Sequence, residues 1–117
     1  AKIAAVLAAG NAWGGLLEKE GAAVIAPLAE VFATSDLPKG VVNLLTGEQK
    51  ELAAQFGSHM EIQSLSYQGN DAILRQELAK LGIENMKRMV GRVEVPLTLD
   101  HLLGFVEYKT IWHPIGF

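Results

Sequence analysis

The stretch "LPKGVVNLLTG", residues 37–47, decides how the rest of the chain is read. Its centre, Val41 to Leu45, is an almost continuous apolar run with β-branched residues. Such a run suits a strand buried on both faces, as in a parallel sheet. Thr46 follows as a helix cap, and Gln49 stands three residues further on, a capping-box pattern. The helix so started carries Leu52, Ala53 and Phe56 as its inner stripe, and Gly57 reads as its stop.

The same alternation extends in both directions. Upstream, a helix ends near Ala9-Gly10. Residues 12–17 read as a strand weakened by Gly14-Gly15. Residues 22–34 place Val24, Ile25, Leu28, Val31 and Phe32 on one helical face. Pro27 either opens the regular helix at its first position or kinks a longer one. Downstream, "IQSLSY" (62–67) alternates as a strand. Gly69-Asn70-Asp71 turns into a helix with Ile73, Leu74, Leu78 and Leu81 inward, and Gly82 ends it. "MKRMV" (86–90) is a fourth strand. Strands and helices alternate over short connections, so right-handed crossovers and a parallel α/β sheet are expected. After Val90 the rhythm changes. Pro96 forbids a central strand, and "VEYKTIW" (106–112) reads as a final strand stopped by His113-Pro114. Nothing divides the chain, so residues 1–117 are read as a single domain with a C-terminal arm strand at about 105–113.

The 117 residues are half hydrophobic and one fifth charged, with a net charge of -3. That composition suits a globular domain and gives no electrostatic footprint for nucleic acid or an anionic membrane. The apolar run 3–17 is interrupted and falls short of a membrane span. Nor does it have a signal-peptide layout. The sequence contains no cysteine, which excludes disulfides, thiolate zinc sites and a thiol nucleophile, and fits a cytoplasmic location. It opens without Met directly on a helix pattern, which leaves fragment and processed product as open readings. "GSHM", residues 57–60, sits between a helix and a strand pattern and is read as native sequence.

The order of motifs resembles the aldehyde dehydrogenase superfamily. The resemblance rests on "AAGNAW", "LPKGVVNLLTG", "SHMEIQSLSYQG" and "NMKRMV", and on "FVEYKTIW" for the family's last strand. It covers residues 2–90 and 105–112, and the match at 37–47 is specific. It implies a Rossmann-like parallel sheet with helices on both faces, plus a C-terminal strand used in oligomerisation; an ordinary edge strand inside the monomer is the equal alternative for that segment. It also implies NAD as cofactor. The positions that would face it are Glu18, Gly47, Gly69, Asn70 and Asp71.

The departures are as informative. The family's nucleophilic cysteine is absent. Its general-base glutamate is replaced near Arg92, and Glu94 lies out of register. Its ribose-binding lysine falls near Leu16, and the Lys-Pro-Ser-Glu that follows in the family is missing. In the phosphate turn Gly69 is kept, but Asn70-Asp71 replace Ser-Thr and Leu74 stands near the next glycine. Free amides at a helix N-terminus attract phosphate, whereas Asp71 in that turn would repel it. Asp71 is better explained as a helix cap.

Other chemistry is weaker. Ser35, Ser58, Ser64 and Ser66 form no nucleophile elbow. His59 reads as a helix C-terminal residue, Asp100-His101 as a solvated turn, and His113 has no assigned role. No metal site is expected. Gly47 and Gly69 are equally well explained as turn glycines. Phe105, Trp112 and Phe117 favour a contact surface at the end of the chain.

The expectation is a non-catalytic or incomplete aldehyde-dehydrogenase-like domain with a structural, lid or assembly role. Its partner would be a second copy, or a larger relative, engaged through the C-terminal strand. The alternative is the cofactor-binding part of an NAD(P)-dependent aldehyde oxidoreductase whose catalytic domain lies outside this chain. A small module for another nucleotide has only the fold in its favour.

Overall fold

The computed structural model describes residues 2–92 and 95–116. Two expectations, for Glu94 and Phe117, lie outside them. Among the described residues five helices and four strands follow one another: α1 (Lys2–Ala8), β1 (Trp13–Leu17), α2 (Ala22–Ala33), β2 (Val42–Thr46), α3 (Gln49–Ser58), β3 (Ser64–Leu65), α4 (Ala72–Glu84), β4 (Arg88–Met89) and α5 (Leu99–Leu103). A single 3₁₀ turn, Lys19–Gly21, leads into α2.

The α/β alternation and the parallel pairing are present. β1 runs parallel to β2 from Trp13↔Val42 to Leu17↔Thr46. β3 runs parallel to β4 at Ser64↔Arg88 and Leu65↔Met89. Among the described residues, however, the strands form two separate two-stranded sheets and not one Rossmann-like sheet. Tertiary placement is the reason, since β1 and β3 do not come within ladder distance of each other. The hydrophobic core is divided in the same way. Ala53, Leu65, Tyr67, Leu74 and Leu78 cluster between α3, α4 and β3, with Phe56 packed against them. Ala5, Val6 and Phe105 form a second cluster, joined by Ala9, Trp13 and Val90.

α3 and α4 make the principal helix contact. Gly57 permits it: a Cβ there would lie 2.9 Å from Leu81 Cβ. Both expected stop glycines therefore need correcting. Gly57 and Gly82 are buried inside α3 and α4, where they allow close approach, and the helices run on to Ser58 and Glu84. The actual end of α4 is a Schellman motif. Met86 N–H donates to Ile83 O at 3.1 Å and Lys87 N–H to Gly82 O at 2.9 Å. The motif puts Met86 at φ 51°, a conformation that disfavours any residue with a Cβ. Met86 is 90% exposed and gains nothing from packing there. Met86→Gly is expected to stabilise the chain by about 0.5–1 kcal/mol, read as a higher urea midpoint at unchanged slope.

Several further expectations change once neighbours are known. β2 is not buried on both faces. It is half-buried, and Leu45 is 45% exposed, because β2 is the edge of a two-stranded sheet. Thr46 ends β2 and does not cap α3. The N-cap is Glu48, in extended backbone and without a side-chain cap. α2 contains Pro27 and has no buried residue; Val24 and Val31 face solvent, since α2 touches little beyond the 3₁₀ turn and β2. Ile73 points outward as well. Asp100-His101 lies in α5, not in a turn. There the Thr98 N–H donates to His101 Nδ1 at 3.1 Å. The expected final strand, residues 106–112, has no ladder partner among the described residues; Val106 is half-buried, its N–H donating to Leu103 O, and residues 107–112 run as exposed, non-helical chain. A strand needs a neighbouring edge to satisfy its backbone groups. The radius of gyration is 16.2 Å. A compact domain of this length would have about 13–14 Å, so the terminal segment and α2 are not folded onto the cores.

Candidate functional site

Parallel strands collect their C-terminal ends on one side, and ligands of open α/β sheets bind there. In this chain the ends belong to two half-sheets. Glu18 follows β1 and Gly47 follows β2. The loop from Ser66 to Asp71 follows β3, and Gly91-Arg92 follows β4. Between the half-sheets lies a cavity of about 680 Å³, bordered by Gly14, Gly15, Leu16, Ser64, Leu65 and Phe105 among others. Of the five sequence-derived cofactor positions, Gly69 borders this cavity, whereas Glu18, Gly47, Asn70 and Asp71 do not.

The two glycines have structural roles that need no ligand. A Cβ on Gly47 would come within 2.4 Å of Leu52 Cδ1, and one on Gly69 within 2.3 Å of the Tyr67 hydroxyl. Each glycine makes room for a neighbouring side chain. Leu16, at the position of the family's lysine, is half-buried and borders the cavity.

Asp71 is the N-cap of α4. Its Oδ1 accepts from the Ile73 N–H at 2.9 Å and the Leu74 N–H at 3.1 Å. These are amides a helix N-terminus would otherwise offer to an anion. Asn70 Oδ1 accepts from Arg92 Nη1 at 3.1 Å across the loop, a pairing no sequence signal announces. The Asp71 carboxylate thus occupies two of the α4 amides, and the Asn70 side-chain oxygen is engaged by Arg92. The cap itself has a measurable value. Asp71→Ala is expected to lower stability by about 1 kcal/mol in chemical denaturation, the usual loss for an N-cap.

Among the described residues no acid–base or nucleophilic constellation assembles elsewhere. The hydroxyls of Ser35, Ser58 and Ser66 donate to the backbone carbonyls of Phe32, Ala54 and Gly91. His59 caps α3, as its position suggested, and its Nδ1 accepts from the Glu61 N–H at 3.2 Å. His113 is exposed in the terminal segment. Among the described residues no three His, Asp or Glu side chains come together as metal ligands would, and no helix is long and apolar enough to cross a membrane.

Sequence reasoning missed two structural polar groups. Lys87 is buried, with Nζ donating to Ile62 O at 2.6 Å and to His59 O. Burial holds its ammonium below the usual lysine range. Asn11 Nδ2 donates to Phe105 O at 2.7 Å and so ties the chain after α5 to the α1–β1 turn. Their partners lie 28 and 94 residues away at most, beyond any local pattern.

The family model for the aldehyde dehydrogenase family matches residues 1–93. No solved structure matches the chain.

Proposed function

The chain belongs to the aldehyde dehydrogenase family, and on that premise we propose that it is a non-catalytic domain of the family with an assembly role. The observation that carries this reading is the Asp71 carboxylate on the α4 amides. It puts negative charge where a cofactor's pyrophosphate would sit, and like charges in one site repel. The chemistry points the same way. Aldehyde oxidation in this family proceeds through a thiolate, and these 117 residues supply none. The surface left over is apolar: Tyr108, Ile111, Trp112 and Ile115 are each at least 78% exposed, in one extended segment. Such a run suits burial against another polypeptide.

Calorimetric titration with NAD and NADH tests the reading. No heat of binding is expected at millimolar cofactor for the natural sequence. Micromolar binding by the natural sequence would overturn it and favour a cofactor-binding role. Binding gained only in Asp71→Asn would identify the Asp71 charge as what excludes the cofactor, and so support the reading.

A further inference from the structure

Arg88 opens β4 and Arg92 follows its end. This end of the strand is anchored to β3 and the loop after it. Val90 N–H donates to Leu65 O at 2.9 Å, and Gly91 O accepts from the Ser66 hydroxyl at 3.0 Å. α5 closes against it, since a Cβ on Gly104 would come within 2.9 Å of Val90 Cγ1. Between β4 and α5 is an open hollow of about 550 Å³, bordered by both arginines, Gly91, Asp100 and His101. Among the described residues only Arg88 borders this hollow and the cavity between the half-sheets alike.

We propose that this hollow binds a small monocarboxylate, a role that goes beyond the assembly reading and does not depend on it. Neither guanidinium is neutralised among the described residues. Arg88 Nη1 donates to Val106 O, and Arg92 Nη1 donates to Asn70 Oδ1 at 3.1 Å; both acceptors are uncharged. An arginine carries five N–H donors, so most of each fork stays open to a further acceptor. A carboxylate is planar and takes two parallel N–H···O bonds from such a fork. The charges select among anions. Asp100 is the one carboxylate bordering the hollow among the described residues, and it faces two arginines, so one positive charge is left over. His101 adds none while its Nδ1 accepts from the Thr98 N–H, a bond that requires the uncharged ring. A monoanion completes this balance, whereas a phosphate dianion would leave the hollow negative beside Asp100. The chain as a whole carries a net charge of -3, so the local positive excess comes from placement and not from composition.

Both arginines are exposed, so the affinity is modest and nuclear magnetic resonance suits the test. The whole chain is titrated with sodium acetate, and separately with inorganic phosphate, against sodium chloride at constant ionic strength. Acetate is expected to shift the Gly91 and Gly104 amides and the Nε–H signals of Arg88 and Arg92, and to saturate. Arg92→Gln is expected to weaken acetate about tenfold, the loss of one charge-assisted fork. Arg88→Gln should do the same, and Arg92→Gln gives an independent reading if loss of the Arg88 bond to Val106 O disturbs the chain. Arg75→Gln removes the same charge from exposed α4, away from the hollow, and should leave acetate binding unchanged. Asp100→Asn should tighten acetate and bring phosphate in, which supports the charge balance. Shifts that rise linearly without saturating, or an equal loss in Arg75→Gln, would show only general attraction and overturn the site. Phosphate binding the natural chain more tightly than acetate would overturn the monocarboxylate assignment.

Discussion

Shortening Leu78 to alanine is expected to remove about 2–5 kcal/mol of stability, the range for a buried leucine that leaves a cavity. Leu78 is 3% exposed and lies in the larger of the two cores, where α4 meets α3 and β3. The loss comes from the transfer of apolar area and from contacts that the surroundings cannot replace. Collapse is restricted here. Gly57 already brings the α3 backbone as near as Leu81 allows, so α3 cannot move in to fill the space. Domains of this size have only about 5–15 kcal/mol in total, so Leu78→Ala would use a large share. Urea unfolding followed by tryptophan fluorescence and by circular dichroism checks it. A loss below about 1 kcal/mol would mean that the α3–α4 contact is not the principal core.

The second large effect is expected at Lys87. Lys87→Met keeps the stem but removes the donor from Ile62 O and His59 O, the two carbonyls that hold the α3–β3 connection in place. Hydrogen bonds from a charged donor contribute about 1.5–3 kcal/mol, and a loss in that range is expected near neutral pH. The pH dependence has a defined sign. Burial lowers the Lys87 pKa from its usual 10.5, so the unfolded chain binds this proton more tightly than the folded one. The contribution of this ionisation to stability therefore rises with pH from the lowered value up to 10.5 and is lost again as pH falls through it. Urea midpoints measured across that interval should rise less steeply in Lys87→Met than in the natural sequence. Parallel slopes would show that Lys87 is not desolvated.

What could be read in the sequence was local. The run of residues 37–47, and the strand and helix signals on either side, established the alternating α/β order, the parallel habit and the family. Asp71 was legible as a cap because capping chemistry reaches only two or three residues. His59 was legible for the same reason. The failures have a common cause. Gly57 and Gly82 carry a stop signal in sequence, yet in the fold each faces a side chain of another element, Leu81 or Lys87. Val24, Val31 and Ile73 fit an inward helical stripe, but periodicity says which residues share a face and not whether anything covers it.

The sequence by itself determined the alternation of helices and strands up to β4, the parallel habit of the strands, and the absence of a thiolate. Only the tertiary structure decided that the strands stand as two pairs around a cavity, and that residues 106–112 have no ladder partner among the described residues. The physical reason is that hydrophobic pattern and capping are properties of neighbouring residues, whereas a strand's second neighbour and a buried ammonium's partners depend on segments far away along the chain.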